Sequence, residues 1–132
     1  MAPPNAPGVR PLSPHLGIYR WSWTMAMSVF HRGTAVVLYA GTALLALWLL
    51  SMASSTSFYD GVQELFGSPL GLLVLFGYTW ALLHHMLGGI RHLVWDFGFG
   101  MEPGTRFQLA RLTLIGSVSL TLLIWIAFFF IR

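Results

Sequence analysis

Three stretches of the chain carry no Asp, Glu, Lys or Arg: residues 33–59, 65–90 and 112–131, which are 27, 26 and 20 residues long. About 20 apolar residues cross the hydrocarbon core of a bilayer as a helix, so the pattern predicts three transmembrane helices. Helix I is expected over about 25–52, ended by "SSTS". Helix II is expected over about 69–97, with Pro69 as a favourable first-turn residue and "GFGMEPGT" as its breaker. Helix III is expected over about 106–132. Its few polar residues, Thr113, Ser117, Ser119 and Thr121, can bond back to their own helix, and Trp125 reads as an interface anchor. Ahead of helix I, residues 1–14 hold five prolines and should be extended. Residues 15–28 mix Tyr19, Trp21 and Trp23 with His15 and Arg20, a composition that settles at the headgroup level. Residues 1–24 thus form an expected inner-face arm and interfacial segment. No internal repeat is present, which disfavours a transporter built from duplicated halves. Three helices enclose little interior of their own. The expected fold is therefore all-α, one membrane domain over 1–132: a three-transmembrane-helix membrane anchor with a short N-terminal interfacial segment, bundled with helices of a partner subunit.

Composition agrees with a bilayer as solvent. The chain of 132 residues is 56% hydrophobic and 8% charged, with a mean hydropathy of +0.71; a soluble domain carries about 25% charged residues. All seven basic residues are arginine. Arg10, Arg20 and Arg32 flank the N-terminus and Arg91, Arg106 and Arg111 the second connection, whereas the first connection has only Asp60 and Glu64. Positive residues stay on the cytoplasmic side. The N-terminus is therefore expected inside and the C-terminus outside; an N-terminal stretch too short and proline-rich for the amphipathic helix of a transit peptide points to a bacterial inner membrane rather than a mitochondrial one. The pI near 10.0 reflects this topology; no basic run with interleaved aromatics points to nucleic acid. The absence of cysteine excludes disulfides, thiolate metal sites and covalent haem attachment. The N-terminus lacks the apolar core of a signal peptide.

One apolar segment is polar where it should not be: "LLHHMLGGIRHLVWDF", 82–97. Burying such groups in hydrocarbon costs several kcal/mol each, roughly +2.5–3.5 for a charged residue on insertion scales. At 100° per residue, His85, Gly89, His92 and Asp96 lie within roughly 40° of one direction and span about 16 Å. Neutral imidazole is a good ligand for haem iron. Gly88 and Gly89 offer a surface without bulk for a porphyrin, and Arg91 and His92 lie toward the inner surface, where propionates need cations. His85 and His92 are about 10.5 Å apart along one face, so both cannot reach one iron. His31 is expected too shallow to face His85. The second axial ligand is therefore expected from another polypeptide. Met86 and Leu87 read as packing, His84 as a structural donor facing about 100° away, and Asp96 as a partner for Arg91 or a local cap. A second cluster opens helix I: Ser28, His31 and Arg32 in "SVFHRGTA" can share one side and suit a quinone carbonyl, a propionate or lipid phosphate.

Three stretches, "RPLSPHLGIYRW" (10–21), "SVFHRGT" (28–34) and "HMLGGIRHLVWDFG" (85–98), resemble the cytochrome b556 membrane anchors of succinate dehydrogenase, in respiratory complex II. The likeness covers residues 9–132. It implies His85 as the axial haem b ligand, four residues before Gly89, with the other ligand from a small second anchor subunit. It implies Ser28 and Arg32 at the ubiquinone site, and His31, Arg32 and His92 near the haem propionates. It further implies an iron–sulfur subunit and a flavoprotein subunit as partners; this chain, without a dinucleotide fingerprint or cysteine, would not be catalytic alone. Two alternatives remain: the anchor of a related quinol:fumarate reductase, and a structural anchor without cofactor.

Overall fold

The computed structural model describes residue 15 and residues 17–131. The expected arm over 1–14, Leu16 and Arg132 lie outside these residues. Four helices follow in order: α1 Trp23–Met52, α2 Thr56–Gly67, α3 Pro69–Asp96 and α4 Pro103–Ile131. At 30, 28 and 29 residues, α1, α3 and α4 are long and apolar enough to cross a bilayer. They coincide with the three predicted helices. Residue 15 and residues 17–22 are non-helical, with a turn at 17–18 and Ile18, Tyr19 and Trp21 exposed.

Local chemistry sets the helix ends. The side chain of Ser22 accepts from the Met25 amide and starts α1 two residues ahead of expectation. At the end of α3, Gly98 has φ +82. Its amide donates to the Trp95 carbonyl at 2.8 Å and that of Phe99 to the Val94 carbonyl at 3.1 Å, the paired bonds of a Schellman motif. Pro103 and Gly104, expected to lie in the break, instead open α4, because Pro103 needs no amide donor in a first turn.

Helix α2 lies within the first connection, where the sequence pattern predicts no helix. Ser55 caps it, accepting from the Phe58 amide. Tyr59, Val62 and Phe66, at helical spacing, turn inward, while Asp60 and Glu64 are exposed. Ser68 alone joins α2 to α3. Its amide donates to the Glu64 carbonyl at 2.9 Å, and its hydroxyl oxygen accepts from the Gly71 amide at 3.1 Å. A Cβ on Gly71 would meet the backbone of Leu65 and Phe66, so this corner needs glycine.

Helix α3 is central, packed antiparallel against α1 on one side and α4 on the other; α1 and α4 touch less. The interior is built from small and polar residues. Thr34, Gly41 and Ser51 are buried on α1, Gly71, Ala81 and Gly88 on α3, and Ala110, Thr113, Ser117 and Thr121 on α4. Large apolar side chains such as Val36, Leu73, Leu82 and Ile115 face outward. This is the order expected in lipid, where close backbone approach and polar contacts hold helices together. Thr113, Ser117 and Thr121 bond back to the carbonyls of Leu109, Leu114 and Ser117, as expected, while Ser119 is exposed. Trp125, expected as an interface anchor, ties α4 to α3: its indole N–H donates to the Thr79 hydroxyl at 3.3 Å.

Candidate functional site

The site lies where α1 crosses α3. A Cβ on Gly88 would run into the His31 imidazole. The missing side chain of α3 is thus the seat of a ring from α1. Seated there, His31 stacks on His85 with centroids 4.2 Å apart and planes 7° apart, and lies 5.1 Å from the His92 ring. This overturns the expectation that His31 is too shallow to face His85; antiparallel packing brings the two level. Yet they do not form an opposed ligand pair. Two axial imidazoles must point at one iron from opposite faces of a porphyrin, whereas these rings lie flat on one another. The Nε2 of His31 is moreover buried with no protein partner.

The hydrogen bonds of His85 define its protonation. Its Nδ1 lies 3.1 Å from the His31 carbonyl oxygen and 3.3 Å from the Thr34 hydroxyl. A carbonyl only accepts, so Nδ1 carries the proton and donates. In the neutral ring Nε2 is then a bare lone pair. Among the described residues it has no hydrogen-bond partner, and it is not among the sealed nitrogens. Gly89, on the same face, has nothing within 4 Å of where a Cβ would stand. Of the two glycines expected to leave room for a porphyrin, Gly89 has open space beside it and Gly88 is covered by the His31 ring.

His84 is the contrasting neighbour. It is 1% exposed, stacked on Trp80 at 5.1 Å, with Nδ1 3.1 Å from the Ser117 hydroxyl oxygen. That hydroxyl donates to the Leu114 carbonyl, so it accepts from His84. His84, expected as a structural donor, makes its bond to α4.

The charged residues distribute differently from expectation. Arg91, expected to snorkel toward the inner surface, is only 5% exposed, with its guanidinium carbon 5.1 Å from the centre of the Trp95 ring. Its Nε has no hydrogen-bond partner. The anticipated Arg91–Asp96 ion pair does not form; Asp96 is exposed, and no ion pair occurs among the described residues. The trio on α1 divides. His31 packs on α3, while Ser28 and Arg32 stay exposed on the flank of the same turns. His92 is also exposed, its ring edge-on to Trp95.

Beside this crossing runs an apolar groove of about 900 Å³ between α1 and α3, floored by Gly33, Thr34, Gly41, Gly77 and Ala81. Thr34 belongs both to the groove and to the bonding of His85. Sequence reading missed it. The signal was its place three residues after His31, hence on the same helix face.

Chemically, the arrangement offers a haem iron one neutral imidazole nitrogen, with a small-residue surface beside it and two arginines and a second histidine toward one end of the bundle. Among the described residues no three His, Cys, Asp or Glu converge as a metal site of their own. Among the described residues this donor set supplies one ligand to such a group.

Residues 7–129 match the family of succinate dehydrogenase/fumarate reductase transmembrane subunits. The chain is 38% identical over 122 residues to the succinate dehydrogenase cytochrome b556 subunit of Paracoccus denitrificans, covering 92% of this chain and 94% of the relative. It is 34% identical to the same subunit of Rickettsia felis, with 89% and 91% covered. With the mitochondrial cytochrome b560 subunit of Sus scrofa it shares 46% identity over 94 residues, 70% of this chain but 56% of that longer relative.

Proposed function

Since the chain belongs to the succinate dehydrogenase/fumarate reductase transmembrane-subunit family and is a succinate dehydrogenase cytochrome b membrane subunit, we propose that it holds haem b jointly with a second small anchor subunit and helps to form a ubiquinone reduction site. In this reading the chain works as one membrane unit of succinate:ubiquinone oxidoreductase. Succinate is oxidised on a flavoprotein subunit, and an iron–sulfur subunit carries the electrons to the membrane. The arginine-rich end of the bundle, with the N-terminus, faces the cytoplasm of a bacterium and the C-terminus faces the periplasm, following the positive-inside bias.

The observation that carries the proposal is the bond from His85 Nδ1–H to the His31 carbonyl, taken with an Nε2 that the packing leaves unsealed. It fixes the tautomer that turns a bare Nε2 toward a ligand, the arrangement typical of metal-bound histidine. His31, His92, Arg32 and Arg91 supply hydrogen-bond donors and positive charge for the propionates. Bound there, haem b supplies a one-electron donor and acceptor within the membrane. Ser28 and Arg32, exposed beside the crossing, act on the other substrate. Their hydroxyl and guanidinium donate hydrogen bonds to a ubiquinone carbonyl and favour the charge that gathers on its oxygen during reduction.

A dithionite-reduced minus oxidised spectrum of the purified complex tests the haem reading: a b-type signal is expected, and its absence would leave a cofactor-free anchor. Arg32→Leu tests the quinone reading. Loss of a hydrogen bond from a charged group, about 1.5–3 kcal/mol, should slow quinone reduction about tenfold or more while assembly and haem content stay normal. Normal turnover in that variant would remove Arg32 from the site.

A further inference from the structure

An imidazole held at Nε2 by a metal can still turn about its two side-chain bonds. What stops it is the partner of its Nδ1–H. In hydrocarbon that N–H has no water to fall back on, so the groups that accept from it decide where the ring points. For His85 both acceptors are on α1, the carbonyl of His31 and the hydroxyl of Thr34. The carbonyl sits inside a helix and already accepts from its own helix ladder. It also accepts from the Thr34 hydroxyl at 2.8 Å. The hydroxyl oxygen is the acceptor with lone pairs to spare.

We infer that Thr34 is a positioning residue for the haem ligand. Its hydroxyl, locked by the bond back to His31, shares the Nδ1 proton of His85 and holds the ring so that Nε2 faces outward. The inference rests on the reading of His85 as an iron ligand. Threonine in a helix chooses between rotamers, one of which bonds the carbonyl three residues back. Here that bond is made, which fixes the direction of the oxygen lone pairs; Thr34 is 3% exposed, so neither water nor lipid competes for them. The unit comprises a carbonyl, a hydroxyl and an N–H, each bonded to the other two, across two helices. A β-branched apolar residue in its place would fill the same volume and leave His85 with a single, already burdened acceptor. The ring would then be freer to turn, and the ligand nitrogen would be less basic because less of the N–H proton is drawn away. Weaker donation to iron favours the reduced state, so the midpoint potential should rise.

The test uses the assembled membrane complex and three variants: Thr34→Val, Thr34→Ser and His85→Leu. Redox titration of the haem absorbance and the low-spin EPR signal of the oxidised haem are the readouts. Thr34→Val is expected to shift the midpoint potential upward and to broaden or move the EPR signal, while Thr34→Ser, which keeps the hydroxyl, stays at the wild-type values. Loss of haem from Thr34→Val with retention in Thr34→Ser has the same meaning. Wild-type potential and EPR signal in Thr34→Val would overturn the inference, as would equal disturbance in Val and Ser, the mark of a packing role. His85→Leu separates the two levels. If that variant keeps its haem spectrum, or if the wild-type complex has none, the ligand assignment itself falls and takes the role of Thr34 with it.

Discussion

His84 and His85 are adjacent, and α3 sends them to opposite environments. Both donate from Nδ1 to an oxygen on a neighbouring helix, His84 to Ser117 of α4 and His85 to His31 of α1. Both therefore carry a bare Nε2. The difference is what lies in front of it. On the α4 side the packing closes completely: His84 is 1% exposed, and its Nε2 is sealed. On the α1 side the crossing is propped apart by the His31 ring on Gly88, and next to it Gly89 leaves open space. Hydrogen bonding alone does not tell these two histidines apart. Access to the second nitrogen does.

The sharpest way to break this comparison is to remove each imidazole in turn. His85→Leu should abolish the b-type absorption of the complex, whereas His84→Leu should leave it; the opposite result moves the ligand to the α4 face. Next in effect is Gly89→Leu. Its side chain would enter open space, so the subunit should fold and assemble, but haem content measured by pyridine haemochrome should fall to near zero. Full haem loading in that variant would mean that the cofactor lies elsewhere. Gly88→Ala asks the complementary question. The added methyl meets the His31 ring, and overpacking of this kind costs about 1–3 kcal/mol, so thermal unfolding of the complex should occur at lower temperature. An unchanged unfolding temperature would show that His31 is not seated as described. The smallest effect is expected from Ser117→Ala, which strips His84 of its acceptor. Hydrogen bonds between membrane helices average about 0.6 kcal/mol, with a maximum of about 1.7. A slight loss of thermal stability with an unaltered haem spectrum is expected; a changed spectrum would couple the α4 face to the haem.

Much of this was legible along the chain. The charge-free stretches, with the turn and cap residues around them, located α1, α3 and α4 to within about three residues, since apolar runs of about 20 residues satisfy their backbone groups in a bilayer as helices. Helix α2 was not legible. Its two glycines argue against helix, the Ser/Thr cluster at its start reads equally as the end of the preceding span, and twelve residues are too few to cross a bilayer. The separation of His84 from His85 could be read from helical periodicity, because 100° divides them. The depth of His31 could not, because it depends on how far α1 slides along α3. Thr34 went unnoticed for the same reason: its partner lies 51 residues away.

The order of residues thus determined by itself that the chain is helical and bilayer-spanning, and which residues share a face. Those properties follow from hydrophobic transfer and from the 3.6-residue repeat, and both act locally. Tertiary structure decided which of two glycines is filled, which nitrogen of His85 carries the proton, that Arg91 is buried, and that an α1 hydroxyl reaches an α3 imidazole. Each of these depends on the register between two helices. That register is set by packing volume at the crossing, a quantity that belongs to pairs of distant residues and has no expression in either segment alone.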